Sequence, residues 1–286
     1  MMPSMRSPTP PDLTSRANPR VAAVAALRDR RERDRRGLTI VDGAREVRRA
    51  IDAGVQVVEL YACEPLLAGP DARAALDALR AAGITAVTTN ERVFEKLAFG
   101  GRSEGLVAVI RIPDLALERL ELPTDPLVVV IEGVEKPGNI GAALRSADGA
   151  GADALVAASP LTDLFNPNAI RASAGTVFTV PLAAAPSADV RRWLHEHGLR
   201  IVTARVDAER AYTDADLCGP LAIVLGAETT GLGDTWTGPG VEPVAIPMHG
   251  VADSLNVSIS TAVLLYEACR QRARATDSAR AADTAH

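Results

Sequence analysis

Residues Leu127 to Ile131 read Leu-Val-Val-Val-Ile, an apolar and mostly β-branched run with no polar position. A strand wetted on one face alternates apolar and polar residues. An unbroken run is the mark of a strand covered on both faces, as in a parallel sheet flanked by helices. The following sequence supplies those helices. Asn139 to Gly149 reads as helix and Ala154 to Ala158 as strand. Asn166-Pro167 places a capping side chain before a proline at the first helical position, opening a helix to about Ser173. Further strands are expected at Val177 to Val180, Arg200 to Ala204, Leu221 to Leu225 and Val244 to Ile246. A helix over Ser187 to His197 and a long apolar terminal helix complete the set. Residues 127–272 should therefore form an open α/β sheet, whose ligands gather beyond the carboxyl ends of strands.

A smaller α/β module precedes it. Strands are expected at Leu38 to Val41, Val55 to Ala62, Ile84 to Thr88 and Gly105 to Ile110. Helices are expected over Asn18 to Leu27, Gly43 to Ala53, Asp71 to Ala82 and Glu91 to Ala98. The boundaries that follow are a disordered leader over 1–14, a first domain over 15–112, a Pro-rich linker over 113–126, the sheet domain over 127–272, and a disordered polar tail over 273–286.

A length of 286 residues with 47% hydrophobic content fills one large core or two ordinary ones. The net charge of −5 excludes a generally sticky polycation, yet Arg16 to Arg49 holds 11 Arg against 5 acidic residues. That local excess hints at a polyanion partner, although Arg28 to Arg36 alone reads better as a solvated helix end. Cys63, Cys218 and Cys269 form no Cys-x-x-Cys pair, so no disulfide framework and no metal site are expected. The start of the chain lacks the apolar run of a signal peptide, and no stretch approaches the ~20 apolar residues of a membrane span. A cytoplasmic location is expected.

Three strand ends carry unusual residues. Glu132 to Arg145 contains Asn139, Gly141 and Arg145. If a helix starts near Asn139, the six-residue spacing puts Arg145 along the loop side, although a surface ion pair with Asp148 or Glu132 would also explain it. Gly138 to Gly141 also fits the clamp loop of a KH module, weakly, and the dinucleotide pattern G-x-G-x-x-G is missing. Leu225-Gly226-Ala227-Glu228-Thr229-Thr230-Gly231-Leu232 lets a ligand approach the backbone. Ile246 to Ser258 joins a strand to the last helix. There Ser254 or Asn256 can cap, but polar groups on so apolar a first turn must also find partners or a ligand.

Together and in this order, Asn139-x-Gly141-x-x-x-Arg145, Leu225-Gly226-x-Glu228-x-x-Gly231-Leu232 and Ile246-Pro247-Met248-x-Gly250-x-x-x-Ser254-Leu255-Asn256-Val257-Ser258 resemble the motifs of the SpoU-type (TrmH-like) RNA 2′-O-ribose methyltransferases of the SPOUT superfamily. The N-terminal module is similar, more loosely, to that family's ribosomal-protein-like substrate-binding domain. The resemblance implies an open parallel sheet closed by a deep trefoil knot, S-adenosyl-L-methionine as cofactor, and a homodimer formed through the knotted domain. It implies catalytic roles for Arg145, Asn139, Glu228, Ser254 and Asn256. Contacts to the cofactor would come from Leu225, Gly226, Glu228, Ile246, Met248 and Leu255, and contacts to RNA from Arg145 and Arg171. Arg171 is equally well a helix-end charge.

A separate substrate-binding domain favours ribosomal RNA, the large subunit above the others, over tRNA. A decayed, non-catalytic RNA-binding scaffold is the alternative of another class, and the intact motif residues count against it. A nucleotide-dependent oxidoreductase lacks its glycine fingerprint.

Overall fold

The computed structural model describes residues 11–67, 69–99, 104–227 and 230–283. Two compact units divide the chain between Ile112 and Pro113.

In the first unit, the Asn18 side chain accepts from the Arg20 N–H and starts α1 (Pro19–Ala25). Asp29 does the same for α2 (Arg30–Arg36), which Gly37 ends in the left-handed conformation. Then follow β1 (Leu38–Asp42), α3 (Ala44–Asp52), β2 (Val57–Ala62), α4 (Gly69–Ala81), β3 (Ala86–Thr88), α5 (Glu91–Leu97) and β4 (Leu106–Arg111). The sheet order is β1-β4-β2-β3, with β4 antiparallel to both neighbours and β3 parallel to β2.

Several arginines of the basic run are spent inside this unit. Buried Arg33 donates to the carbonyls of Leu27 and Arg28 at 2.9 and 2.8 Å. Arg28 reaches the carbonyls of Lys96 and Ala98, and Arg36 that of Ala23. These guanidiniums satisfy orphan carbonyls at helix ends.

The expected disordered leader is corrected at its inner end. Leu13 donates to the Thr88 carbonyl and accepts from the Asn90 N–H, and the Asp12 carboxylate accepts from the Thr88 N–H, so this segment lies along β3. Residues 1–10 and the glycine-rich part of the 99–104 loop lie outside the described residues.

The second unit comprises β5 (Leu127–Glu132), α6 (Pro137–Ala150), β6 (Ala154–Ala158), α7 (Pro167–Ala172), β7 (Leu182–Ala185), α8 (Ser187–Glu196), β8 (Arg200–Ala204), β9 (Leu221–Leu225), β10 (Val241–Val244) and α9 (Val257–Asp283). All six strands are parallel, in the order β10-β8-β9-β5-β6-β7. Val128 to Ile131 are fully buried, as the unbroken apolar run requires. Burial of such a side chain stabilises by about 1.5–3 kcal/mol.

Four expectations need correction here. Val177 to Val180 is not a strand: Gly175 turns the chain at φ +85, a 3-10 turn covers Thr176–Phe178, and β7 begins only after Pro181. The edge strand β10 ends at Val244, the first of the residues expected to form it, so that Ala245 and Ile246 fall outside, and it tolerates Pro243 because one of its sides is unpaired. The 113–126 segment is no free linker, since Leu117 is buried in the core and Leu115 accepts from the Ala184 N–H. The polar tail stays helical to Asp283, its Ala- and Arg-rich sequence being strongly helix-forming.

Candidate active site

The chain leaves β5 and β9, which lie side by side, into loops that diverge at their carboxyl ends. Such a switch point opens a crevice. After β9, the N–H of Gly231 donates to the Ala227 carbonyl at 2.9 Å, closing a tight loop. Gly226 makes the closure possible. A Cβ there would lie 2.2 Å from the Gly231 carbonyl carbon and 2.5 Å from the Leu232 nitrogen. The loop is then tied to β5, because the Glu132 carboxylate accepts from the Gly233 N–H at 2.8 Å. Glu228 itself lies outside the described residues.

The loop after β5 enters α6 directly. Gly141 sits inside this helix, so the Gly-x-x-Gly pattern is not a clamp loop. Its missing side chain admits α7: a Cβ at Gly141 would meet the Ala169 carbonyl at 2.7 Å and the Ala172 Cβ at 2.6 Å. Asn139, in the first turn, accepts from the Asn256 side-chain amide at 3.3 Å. Asn256 also caps α9, its oxygen accepting from the Ser258 N–H at 2.9 Å and the Ser258 hydroxyl at 2.6 Å. Asn139, Ala227 and Val257 line one small hollow at the end of β5, so all three motif segments converge there.

Arg145 is not beside Asn139 on the helix. At about 100° per residue, six residues carry it roughly 120° around the axis, and it is exposed. The two carboxylates named as its alternative ion-pair partners are engaged elsewhere: Asp148 accepts from the Thr179 hydroxyl and Glu132 from the Gly233 N–H. Ser254 is exposed in the loop before α9 and is not its cap. Arg171 is half-buried in α7. Sequence reasoning met Glu132 only as a candidate partner for Arg145. Its tether to Gly233 spans 101 positions and leaves no local signal.

The residues expected to contact the cofactor follow two strand ends, those of β9 and β10, which flank β8. Leu225 is buried at the end of β9, Gly226 follows it, and Ile246, Met248 and Leu255 are half-buried after β10. Residues 246–255 form no backbone–backbone hydrogen bond among the described residues, and neither does Gly226. Unclaimed N–H and C=O groups beside half-buried aliphatic side chains fit the edge and face of an adenosyl group. Among the described residues, no group of three or more His, Cys, Asp or Glu is placed to hold a metal ion, and no helix is long and apolar enough to cross a membrane.

Comparison with known proteins gives this geometry its chemistry. The SpoU rRNA methylase family matches residues 126–266, and an MRM3-like substrate-binding domain matches residues 18–108. The 23S rRNA (uridine(2479)-2′-O)-methyltransferase of Streptomyces viridochromogenes is 32% identical over 277 residues, covering 93% of this chain and 94% of that protein. A crystal structure of an RNA 2′-O ribose methyltransferase is 41% identical with a TM-score of 0.80, covering 91% of this chain and 98% of that one. An AdoMet-bound rRNA methyltransferase from Sinorhizobium meliloti is 28% identical with a TM-score of 0.81, covering 90% of this chain and 97% of that one. The parallel sheet has the knot-type topology of these proteins, and S-adenosylmethionine is the cofactor. The chain thus belongs to the SpoU/TrmH members of the SPOUT superfamily and is an S-adenosylmethionine-dependent RNA 2′-O-ribose methyltransferase.

Proposed function

We propose that the RNA methylated by this enzyme is 23S ribosomal RNA. One observation carries this reading: a 23S rRNA methyltransferase matches 93% of the chain, through the N-terminal unit as well as the sheet. A relative that shared only the catalytic sheet would say little about the substrate.

In this reading Asn139 and Asn256 hold the first and third motif segments together, so that backbone groups of residues 225–226 and 246–255 can grip the adenosyl part of the cofactor. Bound there, the cofactor supplies an electrophilic methyl group on sulfonium. Fixing a ribose hydroxyl beside it in near-attack geometry contributes about 7–11 kcal/mol of barrier lowering. Arg145 orients the target phosphate and stabilises charge developing on the 2′-oxygen. A guanidinium, a fork of five N–H donors with no acceptor, suits that role better than free general-base duty. Glu228 and Ser254 position Arg145 and the ribose, and Arg171 holds RNA phosphate.

The outward-facing Arg145 needs a second surface to complete the site, which supports a homodimer through the knotted unit. Ile259 and Tyr266, two turns apart on α9, are both about half exposed and offer an apolar face for it. Free thiols at Cys63, Cys218 and Cys269 suit the reducing cytoplasm.

The test is methyl transfer from labelled S-adenosylmethionine to separate, unmodified 23S rRNA, 16S rRNA and tRNA. Label in 23S rRNA alone is expected. Label confined to tRNA or 16S rRNA would overturn the assignment.

A further inference from the structure

On the other side of the same loop lies a cleft of about 520 Å³, lined by Glu132, Ser159, Ser187, Thr230, Gly233 and Thr235 among others. Adjacent residues of a strand point to opposite faces of the sheet. Accordingly Ile131 lines the hollow that holds Asn139, while Glu132 lines the cleft. Ala227 borders the first space, and Thr230 and Gly231 border the second. The cleft is therefore next to the catalytic cluster without being part of it.

Its chemistry is selective. None of its described lining residues is Lys or Arg, so it does not suit a phosphate. One oxygen of Glu132 takes the Gly233 N–H, and a Cβ on Gly233 would lie 3.5 and 3.9 Å from the two carboxylate oxygens. The second oxygen and the remaining lone pair of the first are left as acceptors. At the neighbouring strand end, Ser159 accepts from both the N–H and the hydroxyl of Ser187 at 3.0 Å, which leaves its own O–H to donate. Ser159 holds φ +44, a conformation a serine rarely adopts. Glu132 pairs in register with Ala158, the residue before Ser159, so acceptor and donor come from the ends of adjacent strands and line the same cleft. A guanine edge presents the complementary set, with N1–H and N2–H₂ as donors beside the O6 acceptor. A uracil edge places an acceptor on each side of its single N–H.

We propose that this cleft seats an unstacked guanine base of the RNA substrate, with N1–H and N2–H₂ on Glu132 and O6 on Ser159. The inference rests on RNA being the substrate and not on which RNA it is.

The test uses the full chain and two fluorescein-labelled oligoribonucleotides, AAGAA and AAUAA, followed by fluorescence anisotropy. Wild type should bind AAGAA roughly tenfold more tightly, the discrimination expected of a good bidentate contact. Glu132→Gln keeps an oxygen for the Gly233 N–H but turns the free acceptor into a donor. It should abolish or reverse the preference while binding S-adenosylmethionine as wild type does. Gly233→Val, which crowds the carboxylate, should weaken AAGAA selectively. Equal binding of the two oligonucleotides by wild type, including no binding of either, would overturn the proposal, as would an unchanged preference in Glu132→Gln. Transfer to total RNA is measured alongside. A wild type that methylates RNA without the preference removes only the cleft, whereas no transfer removes the reading beneath it.

Discussion

The side-chain oxygen of Asn139 accepts a hydrogen bond from the amide of Asn256, 117 positions later in the chain, at 3.3 Å. This contact joins the first turn of α6 to the cap of α9. It gives Asn256 two duties that Ser254, exposed in the preceding loop, does not share.

Asn256→Ala and Ser254→Ala should therefore separate. Asn256→Ala loses a helix cap, which costs about 0.5–2 kcal/mol, and should lose methyl transfer as well. Ser254→Ala should keep its stability within about 0.5 kcal/mol, as expected of an exposed site, while still losing transfer. Urea unfolding beside single-turnover transfer measures both. A Ser254→Ala enzyme of full activity would return that residue to the loop.

Gly141→Ala should destabilise the second unit although alanine favours helix by about 1 kcal/mol. The new methyl would stand 2.7 Å from the Ala169 carbonyl and 2.8 Å from the Ser173 nitrogen, backbone atoms that move only with α7. Overpacking of this kind costs about 1–3 kcal/mol, so a lower urea midpoint is expected.

In the N-terminal unit, Arg33→Ala should cost about 1.5–3 kcal/mol for the charged hydrogen bonds it removes. Arg31→Ala, exposed on the same helix, should change stability by less than about 0.5 kcal/mol. Equal effects in thermal melts would show that the buried guanidinium contributes nothing special.

Stability on the acid side should depend on Glu267. The hydrogen bond from Arg270 holds its carboxyl below the ordinary value, ahead of the opposing effect of burial and with further help from Gln271. A depressed folded-state value stabilises above the unfolded-state pKa, and the contribution is lost as pH falls through the folded value. Glu267→Gln should thus show a smaller drop in urea midpoint between neutral pH and pH ~3 than wild type.

Local pattern carried much of the fold. Ala154 to Ala158, Arg200 to Ala204 and Leu221 to Leu225 stand where their apolar runs put them, since each is buried on both faces. It failed where backbone geometry overrode composition. Val177 to Val180 is β-branched at all but Phe178, yet it follows the left-handed Gly175 and precedes Pro181, so pairing waits for Leu182. At the site, motif order brought Asn139 and Asn256 into one hypothesis, but their hydrogen bond is a tertiary fact. The tether of Glu132 left no trace in the sequence for the same reason, its partner Gly233 lying on another loop.

In the proposed reaction this chain moves a methyl group onto a ribose oxygen of RNA with the help of Arg145. The most direct measurement incubates wild type and Arg145→Ala with methyl-labelled S-adenosylmethionine and RNA, digests the RNA to nucleosides, and identifies the labelled species by mass spectrometry. A 2′-O-methylnucleoside is expected from wild type and at least a hundredfold less from Arg145→Ala, the order that follows when a group stabilising developing charge is removed, about 10²–10³. Label on a base, or transfer undiminished in Arg145→Ala, would contradict it.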